Sequence, residues 1–408
     1  MRILFLTNLL PYPLDNGGKI KTFSTLKALS IMGNSVDLLC FSENSENDSG
    51  NVQKLKNICN DVQFIEHKLT TKSNIKYMMA VAFKSLFSKY PFGIYKYESK
   101  QMRDVIAKKI KENDYDIIYF DHLQMYKYFN SFDRKNVTFV LDQHNSESEI
   151  VYRTYQNSNN FLKKIFLNIE YNKIRKFEKK ALSDVDKIYA LSENDVESMK
   201  HLNVNLKNFS VIPIGVIDNG IINKKEDKNK KLTLMFIGTL TWNPNNQGIL
   251  WFVRNVIPKL NESGIEYDLY IVGKNPSDEL KELCESYNNI FVTGYVNDVD
   301  EMYVKSDVMV VPLFVGSGQR VKIIESFSKG IPVISTSIGA EGLDCITDYN
   351  VVIADTDIEF VDSLRKMSDE TFRKKIASNA RKTFEEKYSL EAYISSFNDS
   401  FKAMILKK

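Results

Sequence analysis

Cysteine is scarce in this chain. Cys40, Cys59, Cys284 and Cys345 are its four cysteines in 408 residues, and no two form a CxxC. That excludes a disulfide framework and a cysteine zinc site, and predicts reduced thiols in a cytosolic protein. Histidine is equally scarce, and neither HExxH nor a carboxylate cluster with ligand spacing occurs. No dedicated metal site is therefore expected. No GxSxG elbow is present, which argues against a serine hydrolase. Neither GxGxxG nor a Walker loop follows the first strand pattern, which lowers the case for a dinucleotide or ATP. Long apolar runs are missing too. MRILFLTN is too short for a signal peptide and continues as a strand, and Tyr77–Phe83 falls far short of the roughly 20 residues that span a bilayer. A net charge of +3 with no recognised binding motif does not imply nucleic acid. No short-period repeat suggests a solenoid.

What is present is a strand–helix alternation that runs twice. A single core rarely grows to this length, so two domains are expected. In the first half, strands are predicted at Ile3–Thr7, Val36–Cys40, Val62–Ile65, Ile117–Phe120, Val137–Leu141 and Ile188–Leu191. A helix is predicted over Lys19–Met32, ending at Gly33, and Ser192 with Asp195 resembles a capping box. Residues 211–231, with the polar run Asn223–Lys231, read as a linker. The pattern restarts with strands Leu232–Ile237, Leu269–Val272, Ile290–Thr293, Val308–Pro312 and Val333–Thr336. The expectation is two α/β domains, 1–210 and 232–388, each a doubly wound parallel sheet, facing a cleft.

The richest segment is VMVVPLFVGSGQRVKIIESFSKGIPVISTSIGAEG, Val308–Gly342. A strand enters the loop Gly316-Ser317-Gly318, and a helix follows that carries Arg320, Lys322 and Glu325 before stopping at Gly330. Small residues, free backbone N–H groups and a helix N-terminus suit an anion, and two cations strengthen that. With Arg320 in the loop and Lys322 in the first turn, both can neutralise a diphosphate, while Glu325 suits hydroxyls. The ligand this fits is a nucleoside diphosphate attached to a sugar.

Other candidates sit where strands end. Gly17-Gly18 lets a ligand approach the backbone, with Lys19 beside it. Asp121-His122 follows one strand and His144-Asn145 another, whereas His67 and His201 read as surface residues. Gly238 ends a strand, and Asn243 and Asn245 lie at the helix start beyond it, Asn245 suiting an N-cap. Lys163–Lys180 is basic and amphipathic, with Leu162, Ile165, Phe166, Ile169, Ile174 and Phe177 on one stripe, and Lys72–Lys111 interleaves lysine with aromatics. Such surfaces suit anionic lipid headgroups, and equally an ordinary helix with a basic outer face.

Over nearly its whole length the chain resembles the GT-B glycosyltransferases, in particular bacterial members of glycosyltransferase family 4. The resemblance rests on LPYPLDNGGKIKTFSTLKAL, LDQHNSE, ALSENDVESM, VIPIGV and FIGTLTWNPNNQGILWF. Its most specific part is VPLFVGSGQRVKIIESFSKGIPVISTSIGAEGL. It implies that the second domain binds a nucleotide-sugar donor and the first an acceptor, with Gly17, Lys19, His144 and Asn145 on the acceptor side. Glu325 matches the second glutamate of the family's E-x7-E signature, and Ser317 stands where the first would be. Arg320 and Lys322 are candidates to replace cations that relatives carry early in the second domain, where Thr239–Asn245 has none. Gly18 matches the glycine facing the diphosphate, and the family's catalytic histidine corresponds to His122 or to Asp121. The tail 389–408 would cross back onto the first domain as a helix.

The resemblance further implies transfer with retention, no metal and no other cofactor, in the assembly of bacterial surface polysaccharide or glycoconjugates. The partners would be a nucleotide sugar and a glycan or lipid-linked acceptor, at or near the inner face of the cytoplasmic membrane. For an inverting reaction, Asp121 or Glu147 would be suspects for the base. The rival expectations are an isomerase of the nucleotide-sugar 2-epimerase type and a catalytically silent partner subunit of a glycan-assembly complex.

Overall fold

The computed structural model describes residues 1–43, 49–67, 75–202, 204, 208–222, 231–316 and 318–406. Lys72, Ser317 and 223–230 of the polar run therefore lie outside the described residues. The chain divides into two compact units, Met1–Ile214 with the chain from Tyr393 onward, and Gly215–Ala392.

Runs of three to eight residues build the first sheet. Its strands are β1 (Arg2–Thr7), β2 (Ser35–Ser42), β3 (Asp61–Glu66), β4 (Ile117–Asp121), β5 (Thr138–Gln143), β6 (Lys187–Ala190) and β7 (Phe209–Val211). They pair in parallel in the order β3-β2-β1-β4-β5-β6-β7. Side chains alternate across a strand, so β1 feeds two cores. Leu4 and Leu6 pack with Leu39, Ile118 and Phe120 on one face. Ile3 and Phe5 pack with Tyr119 and Tyr189 on the other. That second face is closed by the helix Leu390–Ile405, which brings Tyr393, Phe397 and Phe401, one per helical turn, into the same core.

The second sheet contains β8 (Leu232–Ile237), β9 (Tyr267–Val272), β10 (Ile290–Gly294), β11 (Val308–Val311), β12 (Val333–Ser335) and β13 (Val352–Ile353). Its order is β10-β9-β8-β11-β12-β13, again parallel. Each unit is thus a doubly wound, Rossmann-like sheet. In each, strand order reverses beside the first strand, between β1 and β4 and between β8 and β11. A crevice opens at such a reversal beyond the carboxyl ends of the strands.

Three local expectations need correction. The basic helix spans Phe161–Asp184, and its buried face holds Glu170, Ile174, Glu178, Ala181 and Leu182, while Leu162, Ile165 and Ile169 are exposed. The two acids turn inward because each receives backbone N–H groups that would otherwise be orphaned. Glu170 accepts from Phe92 N, and Glu178 from the N–H groups of Glu147 and Ser148. The helix after β8 spans Asn243–Trp251 with Trp242 at its N-cap, so Asn245 sits one turn inside. His67 is not a surface residue. It packs between Phe41 and Tyr97, with ring centroids at 4.7 and 5.9 Å, and its Nε2 contacts Lys96 O at 2.6 Å.

Candidate functional site

The first unit's reversal point brings together the loop after β1 and the turn after β4. Asn16 caps the helix Gly17–Ile31, its side chain accepting from Lys19 N at 3.1 Å, and Lys19 pairs with Asp15 at 3.0 Å. Gly18 then faces the ring of His122, whose Nε2 would lie 3.5 Å from a Cβ at that position. His122 has φ 74° and ψ 146°, a conformation that a non-glycine residue holds at a cost and that clusters at functional sites. Its N–H donates to Asp142 O at 2.9 Å, which holds the turn.

Asp121 is the hub of this site. Its carboxylate accepts from Thr7 Oγ1 at 2.6 Å and from Thr22 Oγ1 at 2.7 Å. It also contacts His122 Nδ1 at 3.0 Å and His144 Nε2 at 2.8 Å. Burial works against its charge, but the two imidazoles outweigh that and hold its pKa well below the usual carboxylate range. Burial lowers the pKa of His122, yet Asp121 overrides it and the net shift is upward. His144 moves the other way, because burial and the His122 charge together exceed the pull of Asp121. With centroids 3.6 Å apart, the two rings cannot comfortably both be cationic. The arrangement therefore reads as a His122 cation on an Asp121 anion beside a neutral His144. Nδ1–H of His122 donates inward, which leaves Nε2–H aimed at the space before Gly18. Asp121, His122 and His144 also lie close enough for a metal ion, with ligand atoms within 4.8 Å of one another. Here the Asp121 carboxylate, His122 Nδ1 and His144 Nε2 are spent on one another and on Thr7 and Thr22.

Around the hub, Gln124 Nε2 donates to Glu147 Oε1 at 3.1 Å. Asn145 is half-buried between His144 and Ser146. A second, fully buried group lies behind it. Lys21 Nζ sits 3.1 Å from Asp142 Oδ2 and 3.1 Å from Tyr393 OH, and Tyr119 OH donates to the same carboxylate oxygen at 2.7 Å. Sequence reasoning missed Thr7, Thr22, Lys21 and Asp142. A signal existed: the helix Gly17–Ile31 buries Lys21, Thr22, Ser24 and Thr25, and buried polar residues need partners.

In the second unit the same logic joins β8 and β11. Gly238 follows β8, and a Cβ there would meet Asn245 Nδ2 at 2.6 Å and Lys322 Nζ at 2.8 Å. Asn245 is buried, donates to Thr239 O at 3.0 Å and accepts from Lys322 Nζ at 2.9 Å. The ammonium also lies 4.7 Å from the centre of the Phe236 ring. Lys322 is in the first turn of the helix Val321–Lys329, and Arg320 occupies its N-cap. Arg320 is buried, donates from Nη1 to Gly318 O at 2.8 Å, and lies against Gly316, where a Cβ would fall 2.6 Å from Nη2. Gly316 and Gly318 have φ of 136° and 77°, which suit glycine. Asn243 is exposed at the helix start, and Ser317 lies outside the described residues.

Lys322 and Glu325 are half-buried and crowded by protein. Burial, with help from the Arg320 charge, draws Lys322 down to about 7 against the upward pull of Glu325. Burial pushes Glu325 up to about 7, with Lys329 opposing and Asp300 assisting. Lys329 is itself paired with Asp300 at 2.6 Å. Perturbed groups at a strand-end crevice make a candidate functional site. A cavity of about 740 Å³ lies beyond the ends of β9 and β10, lined by Lys274, Asn275, Pro276, Lys281, Gly294 and Tyr295, with Lys274 Nζ 4.6 Å from the Tyr295 ring centre.

Residues 231–370 match the family described as Glycosyl transferases group 1. An uncharacterized 44.6 kDa protein in the cps region of Klebsiella pneumoniae is 25% identical over 405 residues, 97% of this chain and 98% of that protein. An uncharacterized glycosyltransferase of Methanocaldococcus jannaschii is 30% identical over 167 residues, 38% of this chain and 41% of that protein. Among solved structures, a sucrose-phosphate synthase from Thermosynechococcus elongatus aligns with a TM-score of 0.72 at 14% identity, over 100% of both chains. Anabaena HepE in complex with UDP-glucose aligns with a TM-score of 0.66 at 13% identity, over 99% of this chain and 100% of that one.

Proposed function

On the premise that this chain is a GT-B glycosyltransferase related over residues 231–370 to the group 1 family, we propose that it transfers a sugar with retention of configuration. The donor is a nucleoside diphosphate sugar, and the acceptor is a hydroxyl of a growing surface glycan or glycoconjugate. The observation that carries the reading is Lys322 held against Gly238 by Asn245, beside Arg320 at the same helix N-terminus.

In this reading the diphosphate lies along Gly238 and the start of the helix Val321–Lys329. A glycine at 238 lets the Lys322 ammonium and the Asn245 carboxamide lie against the backbone at the strand end, where they would present charge to a phosphate. The helix N-terminus and two cations stabilise charge as it develops on the leaving group. Glu325 accepts from ribose hydroxyls, and the cavity at Tyr295 suits the nucleoside end. UDP-glucose is bound in the Anabaena protein, which makes UDP the first nucleotide to test.

The acceptor oxygen attacks the sugar's anomeric carbon on the face the diphosphate leaves. The C–O bond to phosphate breaks as the new glycosidic bond forms, and the acceptor proton passes to the departing phosphate oxygen. No carboxylate base is required for this. Asp121, sealed from solvent and saturated with donors, instead holds His122 as a cation. Nε2–H of His122 is then a fixed donor for a substrate oxygen at the position Gly18 leaves open. Lys19 and Asn145 are proposed for the acceptor side.

Titration calorimetry with UDP, GDP and ADP, followed by NMR of the anomeric configuration in the product, tests the reading. Binding of one nucleotide and retained configuration are expected. No binding of any nucleoside diphosphate would overturn it, and conversion of the donor sugar without acceptor would assign an isomerase instead.

A further inference from the structure

The exposed apolar side chains of the first unit concentrate in two segments, which one lysine ties together. On the helix Ile75–Leu86 and the turn after it, Phe83 is 63% and Phe87 81% exposed, their rings 5.3 Å apart and edge-on, with Met79 exposed beside them. At the start of the helix Phe161–Asp184, Phe161 is 75% and Leu162 76% exposed, and Ile165 and Ile169 follow. Lys173 joins the two segments. Its Nζ donates to Ser85 O at 2.8 Å and Leu86 O at 3.0 Å, at the end of the first helix. Leu162, Ile165, Ile169 and Lys173 recur at helical spacing on one stripe, so the exposed residues continue outward from that junction at about 1.5 Å per residue. The opposite sides of both helices are anchored, by buried Val81 and Ser85 on one and by Glu170, Ile174 and Glu178 on the other. The exposed face is therefore the outer side of two fixed helices.

Its charge has one sign. Residues 75–90 contain Lys76, Lys84 and Lys89 and no acid, and residues 157–169 contain Lys163 and Lys164 and no acid. Aromatic and aliphatic side chains rimmed by lysine, with no carboxylate, complement an anionic, partly apolar surface. Protein partners favour interfaces depleted in lysine, which makes a second chain the poorer fit.

We propose that this face docks the protein onto an anionic phospholipid bilayer, with Phe83, Phe87, Phe161 and Leu162 entering the headgroup–acyl boundary and the lysines pairing with lipid phosphates. Among the described residues no helix is long and apolar enough to cross a membrane, so the contact is peripheral. The proposal stands apart from the sugar-transfer reading and is tested without donor or acceptor.

The test is flotation of the full chain with vesicles of phosphatidylcholine alone or mixed equally with phosphatidylglycerol, at low and high salt. Co-flotation with the mixed vesicles only, weakened by salt, is expected. Phe87→Ser with Leu162→Ser should lower the partition coefficient about a hundredfold, roughly tenfold for each side chain withdrawn from lipid. Lys84→Glu with Lys163→Glu should abolish the salt-sensitive part. Both double variants should keep the wild-type melting temperature, since all four side chains are exposed. Three results would overturn the proposal: no flotation with anionic vesicles, flotation unchanged in both variants, or a wild-type dimer in sedimentation velocity that Phe87→Ser dissociates. The last would assign the face to a second copy.

Discussion

The ammonium of Lys322 stands 2.8 Å from where a Cβ on Gly238 would begin, and the carboxamide of Asn245 holds it there. Three residues from three stretches of the chain thereby pack into one cluster at the reversal point of the second sheet. Gly238→Ala would put a methyl where the Lys322 ammonium and the Asn245 carboxamide already lie and should push both away. Calorimetry should show nucleoside diphosphate affinity weakened about tenfold or more, with the melting temperature little changed, because the displaced atoms are side-chain ends. Unaltered affinity would remove this cluster from the donor site.

The same lysine predicts proton uptake. In the free protein its pKa lies near 7, so above neutrality it is mostly uncharged. A bound diphosphate favours the cation and raises that pKa, so at about pH 8 binding should take up protons, and affinity should fall as pH rises through the free value. Glu325, also near 7, titrates in the same range and would blur the signal. Titrations in buffers of different ionisation enthalpy, in a Glu325→Gln background, separate the two. Lys322→Met should abolish the uptake.

How legible this was in the sequence depends on distance along the chain. GSG followed by Arg320 and Lys322 can be read locally, and the placement of Arg320 at the N-cap and Lys322 in the first turn follows from where Gly318 ends the loop. Asn245 reads as a capping residue, because nothing local reveals a lysine 77 residues later that makes it a clamp. Asp121 is similar. Its neighbour His122 is visible, but Thr7 and Thr22 come from a strand and a helix about a hundred residues earlier. Glu170 and Glu178 mislead a periodicity reading, since acids in a lysine-rich helix look solvated until the backbone groups they satisfy are known. Strands β7 and β13 are two or three residues long and leave no pattern to detect.

Gly18→Ala isolates the His122 contact. The new methyl would lie 3.5 Å from Nε2 and 3.4 Å from Asn16 Oδ1, ordinary van der Waals distances, so folding should be unaffected. It would nonetheless cover the face on which Nε2–H meets its ligand. Turnover should fall about a hundredfold, the scale of a misplacement of roughly 1 Å. A variant with wild-type turnover would show that His122 works elsewhere.

Asp121→Asn should act through His122. Removing the anion withdraws what raises the His122 pKa, so the imidazole loses its proton at lower pH. In the wild type, turnover that needs the cation persists up to that raised pKa and falls as pH climbs through it. In the variant this limb should move to lower pH, and turnover at neutral pH should drop about a hundredfold. Loss of a buried ionic partner should also cost about 3 kcal/mol of stability. A pH–rate profile of unchanged position would leave Asp121 a structural hub alone.

The buried Lys21–Asp142 pair predicts the largest stability loss. Both side chains are sealed from solvent, and the Asp142 charge outweighs burial to raise the Lys21 pKa above its ordinary value. Lys21→Met would strand the Asp142 carboxylate with Tyr119 OH as its hydrogen-bonding neighbour, two residues before His144, and should cost about 3–5 kcal/mol. Tyr393→Phe removes a hydroxyl shared by Lys21 Nζ and Thr25 Oγ1 but leaves the ion pair and the ring packing, so about 1 kcal/mol is expected. Denaturant melts of the two variants should therefore differ severalfold in their loss. Lys21→Met should also weaken donor hydrolysis by loosening the Asp142 carbonyl that holds the His122 turn. Equal, small losses in both variants would mean that the helix Leu390–Ile405 is held on this sheet by its aromatic packing and that the ion pair is incidental.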